Sequence, residues 1–419
     1  MSVFISSIPN AQEDDLLLAK KITKGELDIS KERMVLEDLL SKVFKDSKIF
    51  LFNRGRDALY VALRAVGVSP KDEVILQAFT CIAVPAPILW LGATPRYTDI
   101  DPKSFNIDLD KLQSNINEFT KAIVIQHTFG NIFDLKRVRE LVDEVNKERR
   151  EKEKIYIIED CAHHSLLSNK DVLKYSDIAL FSFAQDKSIS STQGGLIVVK
   201  NQNISKKVSI LYDAIPEQTE REAKYNVEYI NRWGEIKKEY FKSIFTFYKR
   251  LTLGKIKIIF YRFLGKIKKQ ASADIGSKKD IRKYSNEQAS LLLNQLPKIK
   301  KFDEHRRIIT KIYDETLKTE MKFDNHSDCL LRYPVLVSNP AEVLAALAKE
   351  KIIGGRWYSS VVFPLFERFE RVGYIKASCM KAELCSKYII NLPTNIEVTE
   401  EIAKDIARIV NKVGISIKI

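Results

Sequence analysis

The sequence predicts an α/β fold, with a mostly parallel central sheet in a large domain and a smaller α+β domain towards the C-terminus. Two observations predict this fold class. Between about residues 50 and 200, short apolar runs alternate with helical patterns, as expected for strands that helices cover on both faces. The chain has 419 residues, more than one ordinary hydrophobic core requires, so a second, smaller domain is expected.

Five short apolar runs are predicted to be the buried strands, because each is nearly continuous and bounded by polar or helical sequence. They are residues 73–79, 121–126, 154–160, 177–183 and 195–199. Between the second and the third run, residues 133–150 have helical spacing and strongly charged later turns. Strands that alternate with helices in this way favour a parallel sheet.

Beyond residue 200 the sequence becomes rich in Lys, Tyr and Phe, and this change sets the predicted domain boundaries. Apolar residues recur at helical spacing over 241–251 and over 256–267, with Gly254 as a turn between two helices. One long helix is predicted from about 285 to 318, and another from 399 to about 410. The predicted parts are a large domain at 1–200 with a helical segment at 1–44, a basic, aromatic helical insertion at 201–281, and a smaller domain at 282–419.

Most of the net charge of +14 lies in one segment. Eleven Lys or Arg residues and one Glu lie between Lys237 and Lys269. Amphipathic helices of this composition can lie in the interface of an anionic membrane. The alternative is a helical hairpin that packs its apolar faces on the protein and leaves the lysines in water. Nucleic acid is not an expected partner, because no recognised nucleic-acid-binding fold accompanies the charge.

The cysteines and the apolar runs indicate the compartment. The five cysteines include no CxxC pair, so neither a disulfide framework nor a metal site is expected. The apolar runs are too short to span a bilayer, and the first residues lack the features of a signal peptide. We expect a cytoplasmic protein, with peripheral contact at the inner face of the membrane through residues 237–269 as the open alternative.

The chemistry of the chain centres on residues at predicted strand ends. Asp160 ends one strand, Ser182 ends the next, and Lys187 follows shortly after. A lysine and an acid at neighbouring strand ends are what a pyridoxal-phosphate site requires. The lysine forms a Schiff base with the cofactor, the carboxylate keeps the pyridine nitrogen protonated, and the released lysine moves a proton. Alone, such residues are more often a surface lysine and a turn or helix cap.

These residues also lie in longer motifs. Lys187 ends the stretch Ser182-Phe-Ala-Gln-Asp-Lys187, which Gly194-Gly195 follows, and Asp160 lies in Glu159-Asp-Cys-Ala162. In their order and spacing, the motifs resemble the DegT/StrS family of sugar aminotransferases, closely over about residues 45–200 and loosely over 282–400. The resemblance implies a fold type I pyridoxal-phosphate transferase, with pyridoxal 5'-phosphate as cofactor.

The resemblance implies a role for each matched residue. Lys187 matches the Schiff-base lysine and Asp160 the partner of the pyridine nitrogen. Ser182 matches a phosphate-binding hydroxyl, and Gly55 lies in a turn whose backbone amides hold the phosphate at a helix start. Arg56 stands where the family usually has threonine, and it is either a charged phosphate ligand or a surface arginine.

At three further positions the chain departs from the family pattern. Cys81 stands where an aromatic ring usually stacks on the cofactor, and a cysteine can pack there but cannot stack as a ring does. His163 replaces a glutamine near the ring oxygen of the cofactor, and it either donates the same hydrogen bond or is a satisfied core histidine. Lys283 matches a basic residue that reaches the phosphate from the neighbouring subunit, which implies a homodimer. His127 is expected to be structural.

The resemblance implies an aminotransferase that moves an amino group from glutamate or glutamine to a nucleotide-linked keto-sugar, for glycan or cell-surface polysaccharide biosynthesis. Two alternatives remain open at this point. One is a pyridoxal-phosphate-dependent sugar dehydratase, which would remove a hydroxyl without net amine transfer. The other is a catalytically idle, membrane-associated scaffold or regulator, which would bind the cofactor without turnover.

Overall fold

The computed structural model describes residues 2–167, 171–243, 252–267, 274–323, 326–365, 368–417 and 419. Within these ranges, no helix has the length and apolar character needed to cross a membrane. The strands are β1 Val3–Phe4, β2 Lys48–Phe52, β3 Glu73–Gln77, β4 Thr80–Cys81, β5 Thr94–Thr98, β6 Thr120–Gln126, β7 Tyr156–Asp160, β8 Ile178–Ser182, β9 Gly195–Val199, β10 Arg332–Leu336, β11 Ile352–Ile353, β12 Val362–Phe363 and β13 Ile389–Pro393. The helices are α1 Glu13–Lys24, α2 Glu32–Val43, α3 Gly55–Ala65, α4 Pro85–Trp90, α5 Leu109–Asn115, α6 Lys136–Lys147, α7 Gln202–Asp213, α8 Glu220–Glu239, α9 Leu253–Phe263, α10 Asn286–Gln295, α11 Ile299–Thr316, α12 Pro340–Lys349, α13 Met380–Tyr388 and α14 Glu400–Val413.

The central sheet has the strand order β2-β9-β8-β7-β6-β3-β5. The strands from β8 to β5 are parallel to their neighbours, whereas β9 is antiparallel to both β8 and β2. All five runs predicted as strands lie in this sheet. The predicted α/β fold class, with its mostly parallel sheet, is therefore confirmed.

Alternate residues of the strands face two different hydrophobic cores. In β6, Ala122 and Val124 pack in a core with α3, whereas Ile123 and Ile125 pack in a core with α5 and α6. The repeat of two is that of an extended strand, whose side chains point to opposite faces. Because helices cover both faces, every position of β6 is buried, and this is why the strand has an uninterrupted run of apolar residues in its middle.

The chain beyond α11 builds a smaller α+β part against the sheet. Its antiparallel pair, β10 and β13, shares one core with Phe79 and Phe129, which follow the carboxyl ends of β3 and β6. Two short parallel pairs join distant parts of the chain, β1 to β11 and β4 to β12. These contacts bring residues 352–363 to the carboxyl edge of the central sheet.

The predicted insertion at 201–281 contains α8 and α9, and α8 packs on both α9 and α1. Thr219 and Glu222 form a capping box at the start of α8, which satisfies backbone amides that the helix itself cannot. Gly254, predicted as a turn, lies inside α9 instead. A Cβ atom on Gly254 would lie 2.7 Å from the Ile236 carbonyl oxygen, so the glycine allows α9 to approach α8 closely. The stretch predicted over 241–251 lies outside the described residues from 244 onwards.

The single helix predicted from about 285 to 318 is wrong, because the structure has two helices there. The helix α10 ends at Gln295 and α11 begins at Ile299, with one turn of 3-10 helix between them. Pro297 lies in this turn, where it has no amide hydrogen to donate and its ring crowds the preceding turn of an α-helix. The helix predicted over 399–410 is confirmed as α14.

Candidate active site

Lys187 lies in a loop that follows β8, and distant parts of the chain hold the backbone of this loop. The side-chain amide of Asn10 donates hydrogen bonds to the carbonyl oxygens of Lys187 at 3.3 Å and Ser188 at 2.8 Å. The guanidinium of Arg306, on α11, donates to the same Ser188 oxygen at 2.9 Å. The lysine side chain therefore extends from a backbone that the N-terminal segment and α11 fix in place.

Asp160 is the last residue of β7, and its side chain is buried at the carboxyl edge of the sheet. Its carboxylate accepts a hydrogen bond from the backbone N–H of Ala162 at 2.9 Å. Because β7 and β8 are parallel neighbours, the loop that carries Lys187 leaves the sheet at the same edge. The two residues therefore lie where ligands bind in open α/β sheets.

Burial shifts the pKa of both groups towards the neutral form. Burial lowers the pKa of the Lys187 amine, and the charge of Arg332 acts in the same direction, while Asp160 and Asp186 oppose the shift. Burial raises the pKa of the Asp160 carboxyl, against which the Ala162 N–H and the charge of Lys187 act. Perturbed pKa values of this kind, in an acid and a base that influence each other, are typical of catalytic sites.

The start of α3 lies directly beside Ser182. A Cβ atom on Gly55 would be 3.3 Å from the Ser182 hydroxyl oxygen, so a larger residue would fill the space in front of that hydroxyl. In the described part of the chain, the first helical amides, those of Gly55 and Arg56, donate no hydrogen bond. Amides at a helix start together with a hydroxyl form a site for an anion such as a phosphate.

The side chain of Arg56 is half-buried next to this helix start. Burial lowers its pKa, and a negative charge on Cys81 or Asp57 would act against the shift. Its Nη1 atom is 3.5 Å from the position that a Cβ on Gly276 would take. Because Arg56 is the second residue of α3, its guanidinium adds a positive charge near the anion site.

These groups fit pyridoxal phosphate by their chemistry. An aldehyde requires an amine with a lowered pKa, which Lys187 provides, and a basic ring nitrogen requires a buried carboxylate, which Asp160 provides. A phosphate requires the helix amides and the hydroxyl that α3 and Ser182 provide.

Cys81 ends β4, and the pairing of β4 with β12 places Phe363 beside it. Its sulfur accepts a hydrogen bond from the N–H of Ala83 at 3.5 Å. A charge on Cys81 would raise the pKa of both Lys187 and Arg56. Its contact with a cofactor ring, which the resemblance implies, stays a prediction.

Both ring nitrogens of His163 have partners. Nδ1 accepts a hydrogen bond from the N–H of Phe129 at 3.1 Å, so the neutral ring carries its hydrogen on Nε2, which lies 3.0 Å from the Tyr358 hydroxyl. Burial lowers the pKa of His163 well below its ordinary value, which keeps the ring neutral. The ring stacks on Trp357, with 5.3 Å between the ring centroids. A hydrogen bond from His163 to the cofactor stays a prediction.

Arg332 also lies at the candidate site, although no motif in the sequence predicts a role for it. The residue is 2% exposed, and its guanidinium carbon lies 3.3 Å from the centre of the Trp357 ring, over which Nζ of Lys187 also lies at 5.1 Å. Its Nε and Nη2 atoms have no hydrogen-bond partner among the described residues. The nearest carboxylate oxygen, on Asp186, is 4.0 Å away. Burial lowers the pKa of Arg332 to about 10.

A second buried donor accompanies Arg332. The Nδ2 atom of Asn391 also has no hydrogen-bond partner among the described residues. A Cβ atom on Gly355 would lie 3.0 Å from Nη1 of Arg332 and 3.2 Å from Oδ1 of Asn391. The two side chains therefore flank the same glycine. Buried donors of this kind are costly unless a ligand pairs with them.

Lys283 lies on the chain that leads into α10, and its backbone pairs with Phe52 at the end of β2. Its Nζ atom is 3.9 Å from a carboxylate oxygen of Glu217 and 5.0 Å from the centre of the Tyr212 ring. Within one chain it therefore has an acidic partner of its own. The contact with a neighbouring subunit, which the resemblance implies, stays a prediction.

One buried cluster has the spacing of a metal site, but hydrogen bonds account for its arrangement. Glu159 accepts hydrogen bonds from Nε2 of His127 at 3.1 Å and from the Ser176 hydroxyl at 2.6 Å. Nδ1 of His127 accepts a further hydrogen bond, from the N–H of Phe133 at 3.0 Å. The network agrees with the interpretation of His127 as a structural residue. The cluster consists of His127, Glu159 and Cys161.

Comparison with known proteins identifies relatives over most of the chain. A family model, described as the DegT/DnrJ/EryC1/StrS aminotransferase family, matches residues 11–234 and 255–413. A GDP-perosamine synthase of Vibrio cholerae is 32% identical over 157 residues, which are 37% of this chain and 41% of that protein. A GDP-perosamine synthase of Caulobacter vibrioides is 35% identical over 161 residues, which are 38% of this chain and 41% of that protein. The chain thus aligns with about two fifths of the length of these relatives.

A solved structure shares the fold along nearly the whole chain. The structure of NtdA from Bacillus subtilis with bound cofactor PMP superposes with a TM-score of 0.68 at 20% sequence identity. The match covers 96% of this chain and 83% of that chain. The likeness confirms the expected fold type.

Proposed function

The chain belongs to the DegT/DnrJ/EryC1/StrS aminotransferase family, and on that premise we propose that it is a pyridoxal-phosphate-dependent aminotransferase acting on a keto-sugar. The protein transfers an amino group from an amino acid to the sugar, and Lys187 holds the cofactor. The observation that carries this proposal is that Asp160, at the end of β7, and Lys187, in the loop after β8, leave the sheet at the same edge, because β7 and β8 are parallel neighbours.

Pyridoxal phosphate, when bound, supplies an aldehyde and a ring that accepts electrons. Asp160 keeps a proton on the ring nitrogen, and a positive charge there favours the ionised carboxylate, as the charge of Lys187 already does. Because burial lowers the pKa of Lys187, a larger fraction of this amine is uncharged than of a surface lysine. An uncharged amine can attack an aldehyde and can later accept and return a proton. Ser182, Gly55 and Arg56 bind the phosphate.

Arg332 binds a carboxylate of the amino donor. Its buried guanidinium has two donor atoms without partners, and it shares the Trp357 ring with Lys187. A planar guanidinium and a carboxylate form short, charge-assisted hydrogen bonds. An amino acid such as glutamate therefore pairs with the charge of Arg332 while its amino group faces the reacting centre.

The acceptor is a nucleotide-linked keto-sugar, and the product serves glycan or cell-surface polysaccharide biosynthesis in the cytoplasm. Support for this acceptor comes from two relatives whose names specify a GDP-linked sugar as the product, GDP-perosamine.

The protein acts as a homodimer in which Lys283 contacts the phosphate bound by the neighbouring subunit. The test mixes a Lys187→Ala subunit with a Lys283→Ala subunit, each inactive or nearly so alone. A mixed dimer contains one site with both lysines if Lys283 acts across the interface, so mixing restores activity. Mixing that restores nothing, although mass measurement shows mixed dimers, would contradict the role of Lys283.

The cofactor assignment is tested by the visible absorption of the purified protein with pyridoxal phosphate, before and after addition of glutamate. The wild type and a Lys200→Ala control, in which an exposed lysine after β9 is removed, are expected to show a band that glutamate bleaches. The Lys187→Ala variant is expected to lack the band.

Each other outcome would contradict a different part of the proposal. No band in the wild type would overturn the cofactor assignment, and a band that glutamate and glutamine leave unchanged would overturn the donor. Loss of a hydroxyl from the sugar without net amine transfer would indicate the dehydratase. A bleachable band without turnover of any keto-sugar nucleotide would favour a scaffold or regulator.

A further inference from the structure

The helix α9 presents two different faces. One face packs on α8, where Lys257 pairs with Glu235 and Glu239, and the Tyr261 hydroxyl donates to Glu235 at 2.7 Å. Gly254 on the same face permits close contact between the helices. The residues of this face therefore have their partners within the protein, on α8.

The opposite face of α9 is apolar and exposed. Ile259 is 64% exposed, Phe260 54% and Phe263 86%, and further apolar residues share their side of the helix. Their spacing of three and four residues places them on one stripe. The whole stripe consists of Leu253, Ile256, Ile259, Phe260, Phe263 and Leu264.

Exposed basic residues lie on α9 and on the chain that flanks it. Arg262 lies on α9 itself, Lys266 follows it, and Lys238 and Lys242 lie at the end of α8 and just after it. All four are exposed, and none forms an ion pair with a carboxylate in the part of the chain that the structure describes. The acidic residues of this region, Glu235 and Glu239, are instead turned to the packed face by Lys257.

The stripe begins where the match to the family model is interrupted. The model matches residues 11–234 and 255–413, so the end of α8 and the first two residues of α9 lie in the unmatched stretch, whereas the rest of α9 lies in the matched one. An exposed stripe with an 86% exposed phenylalanine also contributes nothing to the core, because its side chains stay in water.

We propose that the exposed face of α9 docks the protein onto an anionic membrane surface. The helix lies in the plane of the interface, with Ile259, Phe260 and Phe263 among the lipid head groups and upper acyl chains. Arg262, Lys266, Lys238 and Lys242 contact anionic head groups, which the net positive charge of this segment complements. The exposed stripe and the unpaired charges are thus explained by one partner. The proposal goes beyond the aminotransferase function and does not depend on it.

The test is co-sedimentation of the full-length protein with phospholipid vesicles. The wild type is expected to bind vesicles that contain phosphatidylglycerol, and to bind pure phosphatidylcholine vesicles at least about tenfold more weakly, because each basic residue near an anionic surface contributes attraction. High salt is expected to weaken binding, because it screens exposed charges.

A double variant, Ile259→Ser/Phe263→Ser, tests whether binding depends on the stripe or is non-specific binding by any exposed apolar residue. Its affinity for the anionic vesicles is expected to fall at least about tenfold, because two side chains no longer enter the apolar region. The matched control is Ile210→Ser/Ile375→Ser, which replaces two residues that are 72% and 75% exposed elsewhere. The control is expected to bind like the wild type, and both variants are expected to keep the melting temperature, because none of the four residues is buried.

Three outcomes would overturn the proposal. One is equal loss of binding in the control and the stripe variant, and another is equal binding to neutral and anionic vesicles. The third is a stripe variant that binds vesicles normally but has a smaller molecular mass in solution, because the face would then join two copies of this chain. The absorption test with Lys187→Ala fails or succeeds independently of all three.

Discussion

The surroundings of Lys187 and the exposed face of α9 use similar residue types, basic side chains beside aromatic rings, in opposite ways. At the site, Arg332 and Lys187 lie over one tryptophan ring, with Arg332 buried and Lys187 half-buried. On α9, Arg262 and Phe263 point away from the protein. Charges withdrawn from water have shifted pKa values and strong interactions, and both properties favour catalysis. Charges left in water keep long-range attraction to a surface, which suits docking.

The two regions also differ in how the fold supports them. The backbone at Lys187 and Ser188 is held by Asn10 and Arg306 from opposite parts of the chain. The helix α9 is held mainly by α8, its neighbour in the sequence. A site that must keep atoms in place within fractions of an ångström requires such distant support, whereas a docking helix needs only a stable face.

The largest expected effect is on turnover, at Asp160. An Asp160→Asn variant keeps the shape of the side chain but cannot hold a positive charge on the cofactor nitrogen, so turnover is expected to fall on the order of 10²–10³-fold. The measurement is kcat with saturating keto-sugar nucleotide and donor. The Ile259→Ser/Phe263→Ser protein is the comparison, and it should retain full turnover in solution. Normal turnover in Asp160→Asn would remove the basis for the proposed mechanism.

The next effect concerns Arg332, where function and stability are expected to move in opposite directions. Arg332→Met removes the charge but keeps a long side chain over Trp357, so the KM for the amino donor is expected to rise about 10–100-fold. The free energy of unfolding without ligand is expected to rise by about 1–3 kcal/mol, because buried donors without partners are lost. Donor titrations and thermal melts measure the two quantities. An unchanged donor KM, or a rise in the KM of the sugar alone, would contradict the role of Arg332.

The smallest expected effect is on stability in acid. Burial lowers the pKa of His164 to about 4 from its ordinary 6.5, and lowers that of His163 as well. Because the pKa is lower in the folded state, the unfolded chain binds more protons than the folded protein once the pH falls below about 6.5. Stability is therefore complete above that pH and is lost towards about pH 4, by about 1–3 kcal/mol.

Thermal melts across this pH range measure the loss, and a His164→Gln variant should show less of it. The Ile259→Ser/Phe263→Ser protein should follow the wild type, since α9 contributes no buried histidine. An equal loss in His164→Gln and the wild type would show that other groups cause the acid sensitivity.

The sequence by itself determined five of the seven strands of the central sheet, because burial on both faces selects an uninterrupted apolar run, as in the middle of β6. The strands β2 and β5 were not predicted. It also determined the positions of Asp160 and Lys187 at neighbouring strand ends, because parallel strands bring their carboxyl ends to one edge. Local sequence could not place Gly254, whose role depends on the distance to α8, and it overlooked the interruption that Pro297 makes between α10 and α11.

Only the tertiary structure decided which distant residues complete the site. Arg332, Asn391 and Asn10 are separated from Lys187 by more than a hundred residues of chain, and nothing in their neighbours predicts that they lie near it. The same holds for α9, whose pattern was compatible with both a packed hairpin and a membrane helix. Exposure is a property of the folded surface, so a helical pattern shows that an apolar face exists, and packing decides whether the protein covers it.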